Sequence, residues 1–299
     1  LRQILTFPVK GYIITIAVYC GYNCPKGMIE GVLMQISRIN EIYLSRLVPA
    51  EENYRRTAEA LGVEKLSDAE ELEQVLRSSE GQAEYSIYIS NEEKECPSAD
   101  EITGVFRKCS AEENGIKVTV TSEEFLNLVD SASRLTEDSK PRSLVHRDGD
   151  LHPAVHVWII KRRDMGVYVL LQKRADKKDT DPGCYDVSVA GHLSQGNEFR
   201  SAAVRETAEE LGIKIHGSQL RHIGNLNSHT VSDGIDDNEY VAVYIYREPV
   251  DENSITLQQD EVSEVCWAEV DELLAVMDDA DFPNCIDVRE LVMIKKAVF

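Results

Sequence analysis

Apolar residues change their spacing along this chain, and the change divides it. In the first part, residues 12–20 form the longest apolar run, which predicts a strand and is too short to span a membrane. Over residues 29–47, Ile29, Val32, Leu33, Ile36, Ile39, Ile42 and Tyr43 fall on one stripe and predict a helix. Residues 51–61 predict a second helix, ended by Gly62. A third starts at Ser67, which makes a capping box with Glu70 and turns Leu72, Val75 and Leu76 inward. Alternation predicts strands at 83–89 and 116–121, with an acidic, turn-rich stretch over 91–101 between them.

From about Ser122 strands dominate. Residues 154–160 and 167–172 are β-branched runs joined by a turn-like segment at 162–166. Residues 187–190, 240–246 and 265–267 predict further strands, and 269–277 and 286–298 predict closing helices. The polar run TEDSKPR at 136–142 reads as a loop. No internal repeat is visible. The pattern predicts a three-layer α/β/α domain over 122–299, preceded by a smaller α+β region over 1–121.

Between those strands lies the stretch GHLSQGNEFRSAAVRETAEELGI, residues 191–213. Read as a helix, it sets Glu206, Glu209 and Glu210 at i, i+3 and i+4 on one face, with Val204, Thr207, Ala208 and Leu211 on the other. Crowded like charges repel, by about a few tenths of a kcal/mol per exposed pair, and a multivalent cation removes that penalty. Hard oxygen donors suit Mg2+ or Mn2+. Arg205 stands four residues before Glu209 and can fix its rotamer. Ala202 and Ala203 leave the rim of the acidic face uncrowded, and Gly212 fits a left-handed stop. The competing reading is a solvated, glutamate-rich surface helix, against which the glycines at both ends count.

This stretch resembles the Nudix box. Gly191, Arg205, Glu206, Glu209, Glu210, Gly212 and Ile213 fall in register with it. Asn197 stands where the family has a glutamate, with Glu198 one residue late, and Thr207 replaces an aliphatic residue. Asn197 is expected to cap the helix. The resemblance extends from about Ser122 to the end of the chain. It implies an α/β/α sandwich with a mixed sheet, and hydrolysis of diphosphates with Mg2+ (or Mn2+) as cofactor.

Composition narrows the partners. The 299 residues are 42% hydrophobic and 28% charged, as in a folded globular protein with room for two domains. A net charge of −21 argues against nucleic acid or an anionic membrane as a standing partner, since both demand a basic surface. Small phosphorylated substrates remain open to it through metal and a local basic patch. The seven cysteines follow no framework, which, with no signal peptide evident, predicts a reducing, cytoplasmic setting. Cys20, Cys24, Cys96 and Cys109 match no zinc ribbon or finger and read as buried small hydrophobes. The first residue is Leu1 rather than Met, so a processed or truncated product is expected.

Within the second half, HRDGDLHPAVHVWI, LLQKRADKKDTDPGCYDVSVAGH and DDNEYVAVYIY are similar to the Nudix branch that contains isopentenyl-diphosphate isomerase. That resemblance places His146, His152, His192, Asp237 and Glu239 on the isomerase's metal-ligand positions. It places Arg174 and Lys178 on diphosphate-contacting ones, with Lys173 and Lys177 adding charge. The isomerase needs a cysteine before the Gly-His pair, and this chain has Ala190 there, with Cys184 six residues away. Its glutamate run, degraded in isomerases, is complete. Both differences favour hydrolysis by metal-activated water. The proton acceptor is a glutamate of the run, or Asp237, Glu239 or Glu261 outside it. Trp158 and Trp267 read as core rather than as base-stacking residues. Two alternatives stay open: an isomerase-like enzyme on isoprenoid diphosphates, and a non-catalytic binding module.

Overall fold

The chain divides into two units, Leu1–Phe125 and Leu126–Phe299, in a computed structural model. The structure describes residues 40–78, 83–91, 96–111, 115–164, 166–178, 180–232 and 234–298, and the backbone of three strands before them. Those three, β1 (Arg2–Val9), β2 (Tyr12–Tyr19) and β3 (Gly31–Arg38), make an antiparallel sheet in the order β1-β2-β3. The rest of the first unit runs β4 (Asn40–Leu44), α1 (Ala50–Leu61), α2 (Ala69–Ser78), β5 (Ala83–Ser90), α3 (Pro97–Ala111) and β6 (Ile116–Glu123). Strands β4, β5 and β6 pair in parallel. Ile42, Leu44 and Ile87 from this sheet bury against Leu72, Leu76 and Phe106 from the helices.

Several expectations for this unit need correction. Residues 31–38 and 40–44 are strand, not helix. Their β-branched residues suit a pleated surface, and Ile42 and Leu44 are buried at alternate positions. The turn-rich reading of 91–101 hides the start of α3. Pro97 opens that helix at a position where its missing N–H costs nothing, and Ile102, Phe106 and Cys109 are buried along it. The cap of α2 also shifts by one residue. Asp68 Oδ1 accepts the Glu71 N–H at 2.9 Å, and Glu71 accepts the Ser67 N–H at 2.8 Å. Gly62 ends α1 at φ 71°, as its position implied. Cys20 and Cys24 lie outside the described residues, while Cys96 and Cys109 are buried.

The second unit begins one residue into β7 (Phe125–Val129), which forms a two-stranded sheet with β8 (Leu135–Pro141). The polar run at 136–142 is therefore strand and the first residue of a helix. It lacked apolar alternation because its buried positions are Ser139 and Pro141 rather than large apolar residues. After α4 (Arg142–Asp148) come β9 (His152–Arg163), β10 (Gly166–Arg174), β11 (Tyr185–Asp186), β12 (Val189–His192), α5 (Phe199–Leu211), β13 (Leu220–Ser232), β14 (Ile235–Tyr246), β15 (Val262–Glu269), α6 (Val270–Val276) and α7 (Val288–Val298).

These strands build one seven-stranded sheet. Its path is β11-β10-β9-β14-β13, with β12 added to β9 and β15 to β10. Strands β9 and β14 are parallel and the other pairs antiparallel, so the sheet is mixed. Alternation splits β9 between two cores. Val155, Val157 and Ile159 pack with Ala202, Ala203 and Leu211 of α5. Ala154, Trp158 and Ile160 pack with Leu273 of α6 and with Leu291 and Ile294 of α7. The layers are thus α5, sheet, and α6 with α7: the expected α/β/α sandwich. Among the described residues no helix is long and apolar enough to cross a membrane.

Candidate active site

Strand β12 runs into α5 through a loop that one side chain fixes. Asn127 donates from Nδ2 to the carbonyls of Ser194 (3.1 Å) and Asn197 (3.3 Å), and its Oδ1 accepts the Gly196 N–H at 3.3 Å. The helix cap is Glu198 rather than Asn197, because α5 starts at Phe199. The Glu198 N–H donates to Ser201 Oγ at 3.2 Å. Gly212 ends the helix at φ 69°, a conformation costly for other residues, and its N–H returns to Ala208 O at 3.1 Å.

The glutamates of α5 occupy three different surroundings. Glu206 points at β12, where Gly191 has no side chain to obstruct it. Arg205 holds Glu206 at 2.7 Å and Glu209 at 2.8 Å, and Glu209 stays half-exposed. Glu210 is buried, with the Ala190 N–H 3.4 Å from its Oε2. Burial first, then the charge of Glu206, push its carboxyl well above the ordinary range, while Lys178 pulls it down. Two helix-face expectations change accordingly. Glu210 lies on the buried face, and Ala202 and Ala203 are in the core rather than at an open rim.

The histidines gather on the other side of β12. Side chains alternate along the strand, so Gly191 faces α5 while Ala190 packs into the α6–α7 core. One ligand-type atom from each of His146, His152, His192 and Asp237 lies within 4.8 Å of the others, and among the described residues only this group meets that spacing. Asp237 Oδ1 is 3.3 Å from His152 Nε2 and 3.7 Å from His146 Nε2, and Glu239 reaches His192 Nε2 at 3.2 Å. His152 is oriented by its Nδ1, 2.9 Å from the Asp150 carbonyl.

His146 Nε2, His152 Nε2 and Asp237 Oδ1 are buried and hydrogen-bonded to nothing. Three such atoms facing one another fit a cation, because leaving them unsatisfied costs about 1–3 kcal/mol each. Burial, aided by Arg142, holds His192 well below its usual pKa, and burial also lowers His146, which favours the neutral, ligating form. Burial would lower His152 as well, but Asp237, the Asp150 carbonyl and Glu239 raise it overall.

The basic loop after β10 is internally engaged. Arg174 donates to Asp186 Oδ2 at 2.9 Å and to the Thr180 carbonyl, and its side chain is 12% exposed. Lys178 pairs with Glu261, Lys177 pairs with Asp260, and Lys173 lies over the Tyr185 ring. Trp158 is fully buried. Trp267 is covered by the Lys161 ammonium, 3.5 Å from the ring.

Two features had no local signal in the sequence. One is the Asn127 clamp. The other joins β9 to α7: His156 Nδ1 lies 2.7 Å from Glu290 Oε1, and Trp158 Nε1 donates to Glu290 Oε2 at 2.6 Å. A glutamate beside Leu291 within an apolar helix stripe was the available hint.

A family model described as the NUDIX domain matches residues 150–286. An uncharacterized Nudix hydrolase of Clostridium acetobutylicum is 38% identical over 157 residues, which is 52% of this chain and 75% of that protein. Nudix hydrolase 3 of Arabidopsis thaliana is 39% identical over 155 residues, 50% of this chain and 20% of that protein. An isopentenyl-diphosphate Delta-isomerase of Rhodobacter capsulatus is 34% identical over 131 residues, 43% of this chain and 69% of that enzyme.

Proposed function

The chain belongs to the Nudix family of hydrolases, and on that premise we propose that it splits the diphosphate linkage of a nucleoside diphosphate derivative or a related organic diphosphate, with Mg2+ or Mn2+ as cofactor. The observation that carries this reading is the meeting of Glu206 with Gly191, beside the buried Glu210. Two neighbouring carboxylates, of which Glu206 raises the proton affinity of Glu210, next to a strand position with no side chain, fit a divalent ion. Glu206, Glu209 and Glu210 would hold it. Bound there, such an ion neutralises phosphate charge and acidifies a water molecule.

The chain's own groups supply the rest. Arg205 keeps Glu206 and Glu209 in place. Glu210 is the proposed proton acceptor of the trio, because burial raises its carboxyl above the ordinary range, and Glu239 is the alternative acceptor outside α5. Gly191, having no side chain, gives the Glu206 carboxylate the space it occupies against β12. His146, His152, His192 and Asp237, with Glu239, would hold a second divalent ion on the opposite side of β12. Arg174 and Lys178 shape the loop beside the diphosphate; Lys178 can leave Glu261 for a phosphate.

Isomerisation is disfavoured because Ala190 has no proton to exchange. A binding-only role is disfavoured by the intact glutamate trio. Every residue assigned here lies in the second unit, and we propose the first unit as a separate domain without part in the chemistry. A cytoplasmic setting is supported by Cys96, Cys109, Cys184, Cys266 and Cys285, none of which is in a disulfide.

The test is a cleavage assay with Mg2+ or Mn2+ across nucleotide sugars, ADP-ribose, dinucleoside polyphosphates, nucleoside triphosphates and isopentenyl diphosphate. Metal-dependent release of a phosphomonoester or pyrophosphate from one class is expected. Double-bond migration without hydrolysis, or no turnover of any class, would sink the reading.

A further inference from the structure

Asn127 is a polar residue in an apolar strand. Phe125, Leu126 and Val129 of β7 are buried around it, and Asn127 itself is 7% exposed. An amide in such surroundings is costly unless its donors and acceptor are paired. Here both ends of the amide turn to one loop: Nδ2 donates to the Ser194 and Asn197 carbonyls, and Oδ1 accepts the Gly196 N–H. The main chain of β7 adds to this hold. The Asn127 N–H donates to Leu193 O at 3.0 Å, and Leu126 bridges Ser194.

The loop so held joins the two elements that meet most closely at the glutamate trio. It leaves β12 after His192 and ends at Glu198, the cap of α5. Strand β12 touches two of the carboxylates. Glu206 fills the space that a Cβ on Gly191 would take, and the Ala190 N–H lies 3.4 Å from Glu210 Oε2. Gly196 turns the loop at φ 80°, and its N–H is the one that Asn127 accepts. A purely structural clamp would be needed to keep α5 on the sheet, but Ala202, Ala203 and Leu211 already bury that helix in the core. What remains for the clamp is the offset between α5 and β12, and hence the placing of Glu206 and Glu210.

We infer that Asn127 is a positioning residue for the divalent ion of the glutamate trio: by fixing the loop between β12 and α5 it holds Glu206 and Glu210 in the arrangement that receives the ion. The inference rests on the metal-dependent hydrolase reading above. Coupling of this kind is reciprocal. If loss of the clamp weakens ion binding, the bound ion must strengthen the clamp by the same factor.

The test uses the full chain and Mg2+ alone, with amide hydrogen exchange followed at Gly196. In the unmutated protein, saturating Mg2+ should slow that exchange on the order of tenfold, and Asn127→Ala should lose about the same factor in Mg2+ affinity. The slowing should vanish in Glu206→Gln, which assigns it to the trio rather than to the histidine cluster. Mg2+ that binds while Gly196 exchange stays the same overturns the inference and leaves the hydrolase reading standing. So does slowing that persists in Glu206→Gln, or a folded Asn127→Ala with unchanged Mg2+ affinity. No Mg2+ binding to the unmutated protein overturns both. The exchange measurement needs no change at Asn127, so a misfolded Asn127→Ala would not protect the idea.

Discussion

Gly191 and Glu206 meet with no room between them. A Cβ built on Gly191 would lie 2.3 Å from Glu206 Cδ and 2.5 Å from its Cγ and Oε1, closer than real contacts allow. Nothing forces this glycine into a left-handed conformation, since it is absent from the positive-φ positions. Its smallness therefore serves the carboxylate.

Gly191→Ala should displace the Glu206 side chain and spare the fold. The obstruction is the far end of a flexible side chain, so a rotamer change relieves it at about 0.5–1.5 kcal/mol. Turnover with Mg2+ should fall at least tenfold while the melting temperature moves by a few degrees at most. A variant with full activity would mean that Glu206 has no fixed role.

Glu210→Gln should cost on the order of 100-fold in rate or more and should raise the stability of the metal-free protein at neutral pH. Folding lifts this carboxyl above its ordinary value of 4.5, so the folded state holds its proton longer than the unfolded state. Stability from this group is then fully present below about pH 4.5 and is lost as pH rises through the folded pKa. Thermal melts with chelator between pH 5 and 8 should decline for the unmutated protein and run flatter for the variant. Identical slopes would show that Glu210 is not buried as a carboxylate.

Asp237→Asn should weaken the histidine cluster as a cation site. It removes the one formal negative charge among its four closely spaced donors and leaves His146 Nε2 and His152 Nε2 facing a neutral amide. Mn2+ titration followed by electron paramagnetic resonance should show the affinity of one site falling at least tenfold, as ligand-shell changes commonly cause. Unchanged affinity and stoichiometry would remove the cluster from the metal account.

The glutamate-rich helix α5 was legible because its pattern is local. Arg205, Glu206, Glu209, Glu210 and Gly212 sit within eight residues, and helical spacing fixes their neighbours. The alternating strands around it were legible for the same reason. Residues 31–44 misled because Ile and Val recur at spacings that fit a helix as well as a strand. Strand β13 escaped because Leu220–Ser232 is largely polar and half-exposed, held by its long pairing with β14 rather than by its own pattern. The burial of Glu210 was invisible too, since it comes from the sheet above it. His156 and Glu290 are 134 residues apart, and no window along the chain contains both.

Lys140 ties the segment before β9 together, and removing it gives a prediction with a pH signature. Its Nζ lies 2.5 Å from Asp148 Oδ2 and 2.5 Å from Asp150 Oδ2, and its side chain is 14% exposed. Between the two aspartates, Gly149 takes φ 67°, and the Asp150 carbonyl orients His152. Arg147 first, and Lys140 after it, outweigh the effect of burial and hold the Asp148 carboxyl down to about 2. A depressed carboxyl adds stability above its unfolded value of 3.8, and that stability is lost as pH falls through about 2. Lys140→Met leaves two carboxylates without their shared counter-charge, so it should cost about 1 kcal/mol at pH 7, the upper end for partly exposed pairs. The deficit should shrink toward zero as pH drops from 4 to 2. Mn2+ affinity at the histidine cluster should fall severalfold at pH 7, because the turn carrying His152 loosens. Urea denaturation at stepped pH measures the first effect and Mn2+ titration the second. A deficit constant over that range would assign Lys140 to packing through its methylene chain instead.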